Sequence, residues 1–178
     1  MSDFSLKNHE ALVTGSSSGI GFAIATAMTQ AGARVVFHSN QPRPSNLPAQ
    51  ADYVETDLVA QGGAERTLRE ALQRRPQLDL LVLNAGSFFD VPFLEMTPAL
   101  FDRTFELNVR ATYFLAQAFA RHLRDAKRPG AIVIVCSTNG FQSEDNSSAY
   151  DASKGALVML TRTLARSEEH TSELQSRF

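Results

Sequence analysis

Short apolar runs alternate with longer helical stretches along this chain, and that alternation limits the folds available to it. The runs are too short for helices, and most are apolar at consecutive positions, as strands buried on both faces of a parallel sheet are. They cover residues 11–14, 34–38, 78–83 and 131–135. Helices are predicted between and after them, over Ile20–Ala31, Ala64–Arg74, Ala99–Arg124 and Ser148–Ala165. The spacing predicts βαβ units, and therefore an α/β fold with a doubly wound parallel sheet and sites beyond the carboxyl ends of its strands.

Turn and cap residues support these boundaries. Gly32 follows the first predicted helix, where a residue that ends a helix is expected, and Thr97-Pro98 supplies a cap and a first-turn proline to the longest one. Residues Ser39–Ala51 contain three prolines and are predicted to form a surface loop.

Composition removes several classes of protein. The length of 178 residues fits one domain, and 17 basic against 19 acidic side chains give no basic excess for nucleic acid. Cys136 is the one cysteine, which excludes an internal disulfide and fits a reducing compartment. The longest apolar run, Ala131–Cys136, is far short of the ~20 residues that cross a bilayer. The start has no signal-peptide pattern, so we expect a cytoplasmic protein without membrane contact.

A glycine-rich loop, Thr14-Gly-Ser-Ser-Ser-Gly-Ile-Gly21, joins the first predicted strand to the first helix. Gly15 permits the tight turn, Gly19 lets the backbone approach a phosphate, and Gly21 lets helix and strand pack closely. The helix N-terminus then offers unpaired N–H groups to a pyrophosphate. Such a loop predicts a Rossmann-type dinucleotide site whose contacts come from Gly15, Ser17, Ser18, Gly19, Ile20 and Gly21.

The end of the second strand bears on the choice of dinucleotide. An acid there normally binds the adenosine ribose of NAD, but this chain has Ser39 at that place and no Asp or Glu between Glu10 and Asp52. A 2′-phosphate would meet no carboxylate near Ser39 and Asn40, and Arg43 offers a cation. The sequence therefore favours NADP(H) over NAD(H).

A phenol and an ammonium stand four residues apart in Tyr150-Asp-Ala-Ser-Lys154, on one face of a predicted helix. Lowering a phenol pKa from ~10 to ~7 requires roughly 4 kcal/mol. One cation at ~4 Å supplies about that much at an effective dielectric of ~20, and only ~1 kcal/mol in bulk water. The pair is therefore predicted to act as an acid–base centre only inside a sheltered cleft.

Two other motifs end predicted strands: Ser137 follows the strand at 131–135, and Asn84-Ala85-Gly86 follows the one at 78–83. With the glycine loop, Asn108, Tyr150 and Lys154, they resemble the short-chain dehydrogenase/reductase family in its short single-domain branch, from about Leu6 to Ala165.

The resemblance implies a role for each matching residue. Tyr150 would be the general acid or base, Ser137 would hydrogen-bond the carbonyl oxygen, and Lys154 would bind the nicotinamide ribose. Asn108 would hold a water that relays protons from Lys154. Other cofactor contacts are implied for Asp57, which would bind the adenine amino group, for its neighbour Leu58, and for Asn84, Ala85 and Gly86.

The reaction implied is the NADP-dependent interconversion of a carbonyl and a secondary alcohol on a small molecule. Members of this family associate through the long helix and the next one, so a homodimer or homotetramer is also implied.

Each of these roles has a plainer alternative. Asn108 fits a satisfied helix asparagine, Asp57 a residue that caps the helix after it, and Ser137 a simple strand-end hydroxyl. The four histidines show no spacing typical of metal ligands, so no metal is predicted.

The apolar pattern stops at Arg166, and Arg166–Ser176 resembles the translation of a sequencing-library adapter. We therefore expect an incomplete catalytic domain over 1–165, a non-native tail over 166–178, and the loss of the family's last strand-helix-strand portion with its substrate lid. Two alternatives to a working enzyme stay open. One is an inactive truncated fragment, and the other is a non-catalytic NADP-binding protein.

Overall fold

The computed structural model describes residues 5–167, and its centre is a parallel sheet of five strands in the order β3-β2-β1-β4-β5. The strands are β1 Glu10–Val13, β2 Arg34–Ser39, β3 Asp52–Glu55, β4 Leu80–Leu83 and β5 Ala131–Ile134. This order is the one found on the two sides of the central crevice in a Rossmann-type sheet, so the predicted doubly wound α/β fold is confirmed.

The helices are α1 Gly19–Gln30, α2 Gly63–Arg74, α3 Pro98–Phe105, α4 Thr112–Asp125 and α5 Ser148–Ser167. The segment Glu106–Ala111 between α3 and α4 winds as a wider π-helical turn. The prediction of one regular helix over Ala99–Arg124 was therefore wrong at its centre, because periodicity does not reveal a local change of winding. Short 3₁₀ turns lie at Phe93–Glu95 and Thr138–Gly140.

Strand β3 was absent from the sequence prediction. It is an edge strand of four residues, and only its central pair, Tyr53 and Val54, is buried. With an acid at each end it lacks the consecutive apolar residues of the inner strands. The predicted loop also began one residue early, because Ser39 is the last residue of β2 and pairs with Glu55.

Neighbouring residues of the inner strands face opposite layers of the molecule. Leu12 and Leu81 join a core with Phe119 of α4, whereas Val13 and Val82 join a second core with Ala25 of α1. The strands are therefore apolar on both faces because helices cover both faces, as their consecutive apolar residues indicated.

The caps predicted for the helices are present. Thr97 accepts a hydrogen bond from the Leu100 amide 3.3 Å away at the start of α3, and Gly32 follows α1 with φ +99°. Helix α5 continues to Ser167, beyond the predicted boundary at residue 165. The prediction for Arg166–Ser176 lies, after its first two residues, outside the described residues. Within 5–167, every helix is too short or too polar to traverse a bilayer.

A buried histidine on β2 connects the sheet to the glycine-rich loop. His38 Nδ1 accepts a hydrogen bond from the Gly15 amide at 3.3 Å, so the ring proton resides on Nε2. Nε2 lies 3.1 Å from both the carbonyl and the hydroxyl of Thr56. The Ser16 hydroxyl accepts from the His38 amide at 2.9 Å. The loop is therefore tied to β2 and to the segment after β3 through a neutral imidazole.

Burial lowers the pKa of His38 from 6.5 to about 4, and the Thr56 carbonyl and Asp57 only partly oppose it. In the unfolded chain this histidine takes up a proton near pH 6.5, whereas in the folded protein it stays neutral down to about 4. We therefore expect the free energy of unfolding to fall as pH drops from 6.5 towards 4, by about 3 kcal/mol. Urea titrations across this range measure it. His38→Gln should flatten that pH dependence, and an unchanged slope would contradict the assignment.

Candidate active site

The glycine-rich loop has a shape that side chains would prevent. Gly15 has φ +62°, and a Cβ there would lie 2.9 Å from the Ala85 Cα atom. A Cβ on Gly21 would lie 2.3 Å from the Gly15 carbonyl oxygen. The predicted reasons for Gly15 and Gly21, a tight turn and close packing, are thus met in the structure.

Gly19 differs from the other two, because a Cβ on it would meet no atom within 4 Å. It begins α1, its φ is +57°, and the cap residue Ser18 makes no side-chain capping bond. The first-turn N–H groups of a helix have no partner within the helix. Ser18, Gly19 and Ile20 are exposed, and Ser17 is half-buried beside them. This open N-terminus fits the pyrophosphate of a dinucleotide.

The loops that follow β1 and β4 are joined at the carboxyl edge of the sheet. The Thr14 hydroxyl accepts hydrogen bonds from the amides of Asn84 at 3.0 Å and Ala85 at 3.1 Å. The Asn84 side chain donates back to the carbonyls of Thr14 at 3.0 Å and Gly15 at 3.2 Å. The structure therefore brings the predicted Asn84-Ala85-Gly86 motif against the glycine-rich loop.

Lys154 lies on α5, one turn after Tyr150, and is only 5% exposed. Its Nζ atom donates to the Val135 carbonyl at 3.2 Å and lies 5.5 Å from the centre of the Tyr150 ring. Burial lowers the pKa of Lys154, and Cys136 partly opposes this effect. Burial likewise raises the pKa of the Cys136 thiol, against the attraction of Lys154, which agrees with an unreactive cysteine.

Tyr150 is half-buried on the first turn of α5, and the edge of the Phe88 ring meets it at a centroid distance of 5.0 Å. Ser137 is also half-buried and begins the 3₁₀ turn after β5. Lys154 bonds to Val135, two residues before Ser137, so one ammonium links the segment that follows β5 to the helix that carries Tyr150.

Asn108 lies in the π-helical turn and is fully buried. Its side chain accepts from the Ser87 amide at 2.8 Å and donates to the Ser87 carbonyl and the Ser153 hydroxyl, each at 3.0 Å. A Cβ on Gly86 would lie 3.2 Å from the Asn108 Oδ1 atom and 3.7 Å from Lys154 Nζ. A side chain at Gly86 would therefore crowd Asn108 but not Lys154, and Asn108 fixes the loop after β4.

The residues predicted to surround the adenosine end lie at the ends of β2 and β3. Ser39 is buried and its hydroxyl accepts from the Gln41 amide at 3.1 Å, whereas Asn40 and Arg43 are exposed. The Arg43 guanidinium donates to the carbonyls of Pro48 and Ala51 and lies 6.0 Å from the Tyr53 ring centre.

Asp57 and Leu58 follow β3. Asp57 is exposed and accepts from the Val59 amide at 3.1 Å, whereas Leu58 is buried. Helix α2 begins at Gly63 with Gly62 as its cap, so the alternative in which Asp57 caps that helix was wrong.

Sequence reasoning missed three polar residues of the site. His38 lies inside an apolar strand, and nothing in the sequence marks its partner Gly15. Asn139 and Asp151 hydrogen-bond each other at 2.8 Å, and only their positions beside Ser137 and Tyr150 offered a signal. Within residues 5–167, no three His, Cys, Asp or Glu side chains converge as a metal site would require.

Comparison with known proteins gives the same family as the sequence motifs. The model of the short chain dehydrogenase family matches residues 9–172. L-xylulose reductase of Mesocricetus auratus is 40% identical over 164 residues, which cover 92% of this chain and 67% of the reductase. The chain spans about two thirds of the length of the curated relatives it matches.

Solved structures show the same fold. A gluconate 5-dehydrogenase from Burkholderia cenocepacia, in complex with NADP and tartrate, superposes with a TM-score of 0.88 at 27% identity, over 98% of this chain and 71% of that one. A 3-ketoacyl-(acyl-carrier-protein) reductase from Brucella melitensis, complexed with NADH, gives 0.87 at 26% identity, over 96% and 74%.

One of these two structures contains NADP and the other NADH, so both neighbours bind a nicotinamide cofactor but not the same one. The family match, the parallel sheet and the open glycine-rich loop agree. The chain therefore belongs to the short chain dehydrogenase family, oxidoreductases that interconvert carbonyl and alcohol groups with NAD(P).

Proposed function

We propose that this protein reduces the carbonyl group of a small molecule with NADPH, and that Tyr150 donates the proton. The observation that carries the proposal is the buried Lys154 ammonium, which contacts the Val135 carbonyl just after β5 and lies beside the Tyr150 ring. A buried cation is costly unless its surroundings use or compensate its charge. Here a developing phenolate would compensate it.

The residues divide the reaction between them. A nicotinamide dinucleotide, when bound, supplies the hydride that reduces the carbonyl carbon. Ser137 holds the carbonyl oxygen by a hydrogen bond, and Tyr150 transfers its hydroxyl proton to that oxygen as negative charge develops there. The phenolate left on Tyr150 is stabilised by Lys154, whose field is little screened at this depth. The reverse reaction uses Tyr150 as the base.

The path that returns a proton to Tyr150 involves the π-helical turn. The side chain of Asn108 already makes three hydrogen bonds, to Ser87 and Ser153. Both N–H donors of the side chain are used, so a relay water between Lys154 and solvent would have to donate to an oxygen of Asn108, and we propose its backbone carbonyl.

Replacing Tyr150 by Phe removes one oxygen and leaves the ring against Phe88. We expect kcat for carbonyl reduction with NADPH to fall at least about 100-fold, which is typical for the loss of a general acid. The Kd for NADPH, from fluorescence titration, should change by less than about threefold, because no cofactor phosphate is touched.

The matched control is Tyr113→Phe, which removes the same atom from an exposed tyrosine on α4. It should leave kcat unchanged. If Tyr150→Phe keeps more than a few per cent of the activity, the general acid lies elsewhere. If the unmodified chain binds NADPH but never turns over, the two alternatives of an inactive fragment and a non-catalytic NADP-binding protein are favoured over a working enzyme.

We propose that NADPH is preferred over NADH because of the end of β2. Ser39 is buried where an acid would otherwise meet the ribose, and Arg43 is exposed four residues further along the chain. The Arg43 guanidinium contacts carbonyl groups and forms no ion pair with a carboxylate among the described residues, so its charge is available to a 2′-phosphate.

Ser39→Asp should move the preference towards NADH by about tenfold or more, because a carboxylate accepts the ribose hydroxyl and repels a 2′-phosphate. The ratio of Kd values for the two cofactors measures it. Ser45→Asp adds the same charge to an exposed position of the same loop and should leave the ratio unchanged. Tighter binding of NADH than of NADPH by the unmodified protein would overturn the proposed preference.

We further propose that the protein forms homodimers through α4 and α5. Tyr113 and Phe114 form an exposed edge-to-face ring pair on α4, with centroids 5.3 Å apart, and Met159 is exposed on α5. Exposed aromatic and methionine side chains are typical of interfaces. Sedimentation should give twice the chain mass, and Phe114→Glu should halve it. A monomer before substitution would exclude the dimer.

A further inference from the structure

Asp151, the neighbour of Tyr150 on α5, fixes the segment that leads from Ser137 to this helix. Its Oδ1 atom accepts from the Asn139 side chain at 2.8 Å. Its Oδ2 atom accepts from the Ser147 hydroxyl at 2.7 Å and from the Glu144 amide at 3.2 Å. Burial tends to raise the pKa of Asp151, but these three hydrogen bonds hold it below its ordinary value. The group is therefore an ionised carboxylate that only accepts.

This carboxylate decides which way the Asn139 amide points. Because a carboxylate offers no donor, the Asn139 Nδ2 atom must face Asp151, and its Oδ1 atom must face the opposite way. Oδ1 then lies 3.2 Å from the Ser137 Oγ atom. The Asn139 backbone amide also donates to that Oγ atom, again at 3.2 Å. Asn139 is only 7% exposed, so water does not readily replace these partners.

We propose that Asn139 and Asp151 are positioning residues for Ser137. The Asn139 backbone amide holds the Ser137 Oγ atom, and the Asn139 Oδ1 atom accepts its hydroxyl hydrogen until a substrate carbonyl binds. The inference rests on the proposed function for what Ser137 then does. Both bonds to Oγ are long for a hydroxyl, so they are readily exchanged. On binding, the hydrogen rotates from Oδ1 to the carbonyl oxygen while Oγ itself stays in place.

Exchanging the two side chains between positions 139 and 151 distinguishes this positioning role from a merely structural role in the loop. Asn139→Asp sets two carboxylates against each other, and Asp151→Asn leaves the Asn139 donor without a carboxylate. The double variant N139D/D151N restores the bond with its direction reversed. The amide oxygen introduced at position 151 still accepts from Glu144 and Ser147, and the carboxylate introduced at position 139 accepts from Ser137.

Each single variant should lower kcat by about 10- to 100-fold, the scale expected when a reacting group is misplaced by about an ångström. The double variant should recover to within about threefold of the unmodified chain. The Kd for NADPH should not change in any of them. Asp145→Asn removes an exposed carboxylate from the same loop and should leave all values unchanged.

Amide hydrogen exchange, followed by NMR on the full chain, reports the network without turnover. The Asn139 and Glu144 amides donate to Ser137 Oγ and Asp151 Oδ2. The exchange rates of these two amides should rise at least about tenfold in Asp151→Asn and should fall back to those of the unmodified chain in the double variant. Thermal unfolding of each variant confirms that the comparison is between folded proteins.

The outcomes separate the two proposals. Single variants that match Asp145→Asn in kcat and exchange would overturn the positioning role, and so would a double variant no better than either single one. If the unmodified chain shows no reduction at all, the proposed function fails, and the exchange pattern alone then supports or overturns the inference about Asn139 and Asp151.

Discussion

The contact between the loops that follow β1 and β4 is the constraint from which the rest of the site derives. Four hydrogen bonds, all made by Thr14 or Asn84, join the two loops. Gly21 packs so closely against Gly15 that it has no space for a Cβ atom. Parallel strands end at one edge of a sheet, so the crevice there is unavoidable. The shape of that crevice is set by the contact between the two loops. The open start of α1 and the loop before Gly86 are consequently held as one wall.

Three further polar side chains near Ser137 and Tyr150 are buried, and each is held by at least one hydrogen bond. Asn108 fixes the Ser87 backbone, Lys154 bonds to Val135, and Asn139 bonds to Asp151. A buried polar group that loses its partner costs more than the bond itself contributes on average. The side chains of Asn108 and Asn139 therefore each have one favourable arrangement. An acid–base centre requires such uniqueness, because apolar packing alone tolerates small shifts of its residues.

The sequence predicted the elements that have a regular apolar pattern and the turns that require glycine. Consecutive apolar residues marked the inner strands, and glycines marked the loop where side chains cannot fit. It missed β3, whose two buried residues are too few to form a pattern. It also missed His38 and the pair Asn139–Asp151, because a hydrogen bond between residues 12 or more positions apart leaves no periodicity in the chain. Motif spacing located Tyr150 and Lys154, yet only the fold determines how deeply the ammonium is buried.

Depth explains why the same two residues would do little on an open helix. A phenol and an ammonium one turn apart in water interact by about 1 kcal/mol at ~4 Å, too little to bring a phenol near neutrality. In this fold Lys154 is only 5% exposed, and its ammonium lies 5.5 Å from the centre of the Tyr150 ring. The burial that lowers the pKa of Lys154 also strengthens its attraction for any anion beside it. The cost of burying that cation is thus linked to the stabilisation of the phenolate that we propose for Tyr150, and a neutral side chain of the same size would provide neither.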